Sequence, residues 1–211
     1  MIEILPEFLP RFLAGVAVNL QIAALSLLLG LLLGGPLALL LAAGRWAALP
    51  AGGVVAALRA APSFVVMFFL LNVLPKEVAL GGLRIPLGGL TAVVLAQAVY
   101  AVAYVADNGV VALRAQRAGD AATAVLFLPG LARAFFVLVM ASATAAAVGT
   151  PEAVFVTLRA AERLPSLGDR VQLFLLVMLF FTVLLRSGFA AVTLLRHRLE
   201  RRLAEDAALA T

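Results

Sequence analysis

Residues 12–44 read FLAGVAVNLQIAALSLLLGLLLGGPLALLLAAG, from Phe12 to Gly44 without one Asp, Glu, Lys or Arg. A bilayer core about 30 Å thick is crossed by roughly 20 apolar residues of helix. A helix on a water-soluble protein keeps charge on its wet face and does not go so long without it. Further charge-free runs follow: Trp46 to Leu58, Ala60 to Leu74, Ile85 to Ala106, Ala134 to Pro151 and Val171 to Leu185. The chain is 64% hydrophobic and 13% charged, about half the charged fraction of a globular protein. The fold class expected is an all-α integral membrane domain with about five transmembrane helices.

The first span is expected within Phe12–Gly44, a run longer than one crossing needs, and the others at about Val54–Leu74, Leu87–Val111, Phe127–Thr157 and Val171–Leu195. Gly34, Gly35 and Pro36 predict a bend or unwinding near the far end of the first. Gly30 and Gly34 form a small-xxx-small pair, which reads either as a face for close helix approach or as the ordinary glycine content of membrane helices. Five spans put the termini on opposite sides. The cluster Arg196, Arg198, Arg201 and Arg202 favours a cytoplasmic C-terminus by the excess of cations on that side, which leaves the N-terminus outside. Arg45, Arg59, Arg114, Arg117 and Arg133 then lie inside, and Lys76, Arg84, Arg159, Arg163 and Arg170 outside. The division expected is an extracytoplasmic or interfacial segment 1–11, a transmembrane domain 12–195 and a basic cytoplasmic tail 196–211. The acidic start, Met-Ile-Glu-Ile-Leu-Pro-Glu, does not read as a cleaved signal.

The net charge of +5 sits between apolar runs and in the tail, a membrane-topology pattern that does not point to nucleic acid. No cysteine is present, and the single histidine, His197, lies in the basic tail. This inventory supplies neither a metal site nor a catalytic set, so none is expected. No G-x-x-x-x-G-K-[ST], G-x-S-x-G or H-E-x-x-H occurs. An enzyme is therefore not expected, and any ATP and Mg would be held by a separate subunit.

Polar groups inside apolar runs need a partner or a water-filled path. Asn19, Gln21, Ser63, Asn72, Ser142, Thr144, Glu152, Thr182 and Arg186 are such groups. The densest set is Gln97, Tyr100, Tyr104, Asp107 and Asn108, whose steps of 3, 4, 3 and 1 put most of them on one helical face. This stripe reads either as a solute-path lining or as interhelical hydrogen bonding. Arg186, if deep, would pair with Asp107 or Glu152 or face an anionic ligand; nearer the surface it would snorkel, the reading preferred here.

Several segments resemble, in order, the permease subunits of ATP-binding-cassette importers for polar amino acids of the histidine/glutamine/arginine type. Phe12 to Ser26, with Gly15, Asn19 and Gln21, looks like that family's first helix. Leu58-Arg59-Ala-Ala-Pro62-Ser63 is similar to its Arg-Gly-Thr-Pro before the second helix. Gly149-Thr-Pro151-Glu152 resembles its Gly-Val-Pro-Glu, and Leu199-Glu200-Arg201-Arg202-Leu203 its closing Leu-Glu-Arg-Arg-Leu. The likeness runs from about Phe12 to Leu203.

The resemblance implies a bacterial plasma (inner) membrane protein that moves solute, such as an amino acid, by alternating access. It implies a second permease subunit, the same or homologous, two ATPase subunits and an extracytoplasmic solute-binding protein. It places an ATPase-coupling loop at about 113–129, with Asp120, Ala121 and Ala122 matching Glu-Ala-Ala and with Arg114 and Arg117 as flanking contacts. The departures are Leu126 where the family has glycine, a short stretch from Asp120 to Glu152, and Met140-Ala-Ser142-Ala-Thr144 in place of Lys-Asp-Thr-Ser-Leu. A non-transporting scaffold or regulatory membrane subunit is the alternative they leave open.

Overall fold

The computed structural model describes residues 4–73, 75, 77–80, 83–86 and 88–209. The helices are α1 (Leu5–Ala43), α2 (Arg45–Ala60), α3 (Ser63–Val73), α4 (Gly89–Arg117), α5 (Ala121–Val125), α6 (Phe127–Ala141), α7 (Ala153–Glu162) and α8 (Leu167–Leu209). A 3-10 helix, Ser142–Val148, continues α6. The strands β1 (Glu77–Leu80) and β2 (Leu83–Pro86) pair antiparallel, with Val78 opposite Ile85. Lys76, expected in an outer loop, lies outside the described residues.

Among the described residues four helices are long and apolar enough to cross a bilayer: Leu5–Ala43, Gly89–Arg117, Ala121–Val148 taken with its 3-10 end, and Leu167–Leu203. The pair α2 and α3, bent by 92°, makes a fifth crossing when taken as one broken span. The outward-facing apolar side chains, among them Leu32, Leu33, Phe69, Leu179 and Val183, are exposed. A belt of this kind suits lipid tails. The protein is a multi-pass membrane protein.

Contacts along α1 fix the direction of each crossing. Ser26 donates to the Val94 carbonyl at 3.1 Å; a Cβ on Gly30 would meet Ala101, and one on Gly34 would meet Val102 and Val105. The register advances on both helices together, so α1 and α4 run parallel. The close approach of Gly30 and Gly34 is what the small-xxx-small pair predicted. Val55 and Leu58 of α2 pack with Leu37 and Leu41, whereas Met67 of α3 packs with Ile22. The α2–α3 crossing therefore runs the opposite way. So does α6: Leu138 and Val139 sit at Ala23, and Ser142 reaches Asn19 further towards the start of α1. Phe180 lies 5.0 Å from Phe12 between ring centroids and Leu185 packs at Ala23, so α8 runs parallel to α1. Three crossings run one way and two the other, which puts the start of α1 and the end of α8 at opposite ends.

Three expectations need correction. Of the bend or unwinding expected at Gly34–Pro36, the unwinding does not occur: α1 stays helical to Ala43 with Pro36 inside; close packing on α4 supports the segment where proline removes a hydrogen bond. The second span is not one helix but turns sharply at Ala61–Pro62. Ala61 is extended (φ −74°, ψ 117°), as a residue before proline prefers. The fourth span ends at Val148 rather than Thr157. Gly149 adopts φ +75°, which glycine reaches without a Cβ penalty, and Pro151 follows before α7 begins. Glu152 is thus the N-cap of a separate helix, accepting from the Val154 and Phe155 amides.

Candidate functional site

The polar stripe of α4 faces the elbow between α2 and α3. A cavity of about 340 Å³ lies between them. Leu58, Arg59, Ala61, Pro62 and Ser63 line it from the elbow, and Tyr100, Ala103, Tyr104, Asp107 and Asn108 from α4. Four of the five stripe residues therefore meet in one space, because steps of three and four on a helix return to the same face. The elbow brings its own polar groups because the extended Ala61–Pro62 break turns the end of α2 and the start of α3 towards α4.

Within the cavity the Arg59 Nη2 stands 2.5 Å from the Asp107 Oδ2. The Tyr104 hydroxyl donates to the Gly130 carbonyl of α6 at 2.9 Å. The Asn108 amide donates to the Tyr104 carbonyl, one turn back on its own helix, at 2.8 Å. Tyr100 and Tyr104 lie with ring centroids 6.0 Å apart. The stripe thus combines helix-to-helix bonding with groups open to the cavity. Gln97 is outside the lining; it is 3% exposed, and neither its amide nitrogen nor its oxygen finds a partner among the described residues. Arg59 and Ser63 belong to this site although sequence reasoning did not place them there. Their signal was the Arg59-Ala-Ala-Pro62 spacing, noted only as a resemblance.

Arg186 is exposed. The carboxylates considered for it are engaged elsewhere, Asp107 with Arg59 and Glu152 with Asn19.

The loop after α4 forms a second candidate site. Asp120 caps the short helix α5 by accepting from the Thr123 amide at 3.0 Å. Hydrogen bonds from the Thr123 side chain and backbone hold its carboxyl below the usual carboxylate range. Asp120, Ala121 and Ala122 are all exposed, so the small residues present an open face. Arg114 and Arg117 point instead at the end of α1. Arg114 donates to the Leu41 carbonyl at 3.0 Å and Arg117 to the Ala42 carbonyl at 2.6 Å. Cations at a helix C-terminus satisfy orphan carbonyls and oppose the helix dipole.

A third polar group is buried and ties three elements together. Asn19 donates to the Ser142 hydroxyl at 2.7 Å and to Glu152 Oε2 at 2.9 Å, and its oxygen accepts from the Ala153 amide at 3.1 Å. Glu152 also accepts from the Val154 and Phe155 amides, at 2.9 and 2.7 Å, and is fully buried. Gly15, one turn away, lets Ala153 approach to where a Cβ would stand 2.6 Å from its nitrogen. This knot fixes the break before α7 against the middle of α1.

No family model matches the chain, and no curated protein does. Among solved structures, the crystal structure of an amino acid ABC transporter with histidines superimposes with a TM-score of 0.69 at 22% identity. The match covers 92% of this chain and 96% of that one. At this identity the likeness is one of fold, and it extends over nearly every element described above.

Proposed function

We propose that this chain, which has the fold of a chain in an amino acid ABC transporter, is the permease subunit of an ATP-driven importer of amino acids. The observation that carries the reading is the fold match over 92% of the chain. The cavity between α4 and the elbow is where the solute path is placed. Its Arg59, Asp107, Tyr100, Tyr104 and Asn108 offer both charges, hydroxyls and an amide, groups that suit a zwitterion. The unsatisfied Gln97 amide, one turn from Tyr100, adds a donor and an acceptor for a solute or a neighbouring chain.

In this reading the subunit works by alternating access as half of a permease pair, with the same or a homologous subunit as the other half. Two ATPase subunits hold ATP and Mg, and an extracytoplasmic binding protein delivers solute. The N-terminus faces outside and the C-terminus the cytoplasm of a bacterial inner membrane. That orientation puts α5 on the cytoplasmic side, with Asp120, Ala121 and Ala122 exposed for an ATPase cleft. Arg114 and Arg117 act through the position of α5, by fastening α4 to the end of α1.

The scaffold reading is favoured by Leu126 in place of the loop glycine and by the engagement of both arginines with α1. Co-purification separates the two. Purified from its native membrane, the chain is expected to bring an ATPase whose hydrolysis rises with a solute-binding protein and its ligand. An ATPase that never responds to solute supports the scaffold, and the absence of any ATPase overturns the importer reading.

A further inference from the structure

We propose that the Arg59–Asp107 ion pair is a latch that holds the α2–α3 elbow shut against α4 and seals the cavity wall at Ala103; the proposal takes that cavity to be the solute path of the importer reading. Among the described residues the elbow is the crossing with a sharp break, a bend of 92° between its two helices. Pro62 lacks an N–H and Ala61 is extended, so the break does not heal into a continuous helix. What holds the elbow to α4 besides the pair is apolar packing, Val55 and Leu58 of α2 with Ala103 and Ala106 and Met67 of α3 with Val93, Val94 and Ala96. The pair adds a polar link to the α2 half of that contact. Ala103 lines the cavity and is 4% exposed. The pair joins the last turn of α2 to α4 across this seam.

The pair has the properties of a latch rather than of a fixed strut. Its side chains are 64% and 38% exposed and line the cavity; a solute path there is water-filled, so both charges keep water when they separate. An ion pair this exposed shifts a two-state equilibrium by about two- to fivefold, a bias that a bound solute or a partner's motion overcomes. The other polar groups that line the cavity, Tyr100, Tyr104 and Asn108 on α4 and Ser63 on α3, are uncharged at neutral pH. Arg133 of α6, whose charge acts on the two tyrosines, is not among the lining residues, so Arg59 is the cation that the cavity itself offers to Asp107.

The chain has no cysteine, so Ala103→Cys gives a single reporter thiol. Its rate of modification by a polar, membrane-impermeant thiol reagent is measured in the full-length chain in lipid nanodiscs. Asp107→Asn and Arg59→Gln are each expected to raise the rate about two- to fivefold. The exchange Arg59→Asp with Asp107→Arg is expected to return it to within about twofold of the parent, because a latch needs opposite charges and not a particular order. Unchanged rates in both single variants overturn the latch, and so does an exchanged pair as reactive as the singles. Asp107→Asn is nearly isosteric, and a monodisperse elution profile establishes that each variant is folded. The assay uses no ATP, solute or partner, so its failure leaves the importer reading standing, and failure of ATPase co-purification leaves the latch result intact.

Discussion

Glu152 shows how much a single buried carboxylate can organise. Among the described residues it has no cationic partner; the Asn19 amide and two backbone N–H groups at the start of α7 satisfy it. Removing the acceptor by Glu152→Ala strands those donors in a buried place, at about 1–3 kcal/mol for each group left unpaired. Thermal unfolding of the detergent-solubilised chain is expected to show a marked loss for Glu152→Ala and for Asn19→Ala. Glu152→Gln keeps the shape and an acceptor oxygen, and is expected to be milder. Tyr104→Phe is a different case. It removes only the hydrogen bond to Gly130, and single hydrogen bonds between membrane helices average about 0.6 kcal/mol. Stability should barely change, whereas solute uptake per assembled complex should fall if the hydroxyl serves the cavity. The sequence made these residues visible as polar groups in apolar runs. It did not say which would face each other, because Asn19 and Glu152 are 133 positions apart and periodicity is silent at that range.

Among the elements, α1 and α4 are the most legible, since their apolar runs are long and their glycines and alanines announce close packing. The elbow was hidden because Ala60 to Leu74 is apolar on both sides of Pro62. Hydropathy sees one span where the backbone makes two helices. The separation of α7 was hidden for a related reason: a carboxylate capping a helix and buried against α1 reads in the sequence like a span's polar interruption. The pairing of β1 with β2 was also missed, although Gly-Gly in the sequence between Val78-Ala79-Leu80 and Leu83-Arg84-Ile85 is a hairpin signal. Element α5 carries its own prediction. Its cap is a carboxylate held below the usual range, so the stabilisation is present above the unfolded-state pKa and is lost as pH falls through the lowered folded-state value. At neutral pH the helix is capped. Asp120→Asn keeps a good N-cap and is expected to retain ATPase association, which Asp120→Ala should weaken. A bulky Ala122→Trp should block docking while leaving the membrane helices folded, and a crosslink from Thr123→Cys to the ATPase would locate the contact. A transporting complex that gives no such crosslink would assign coupling to the other permease half.

At the scale of the whole molecule, the three-against-two arrangement of crossings follows from side-chain register rather than from hydropathy. It places the start of α1 and the end of α8 apart, and the cytoplasmic side proposed for the arginine-rich end of α8 rests on the cation rule. Single-cysteine labelling on intact cells tests that sidedness. Arg117→Cys should resist an impermeant reagent from outside and Ser166→Cys should react; the reverse pattern would invert the topology. The apolar belt, the cavity at the elbow and the exposed α5 are then parts of one proposed machine, in which ATP is spent on one side of the membrane and solute enters from the other. The measurement that tests this most directly is uptake in proteoliposomes containing the native complex, with ATP enclosed and a mixture of radiolabelled amino acids plus the binding protein outside. Accumulation that requires both ATP and the binding protein, and that falls with Asp107→Asn, is the predicted result. A fully assembled complex that hydrolyses ATP yet accumulates none of the amino acids would contradict it.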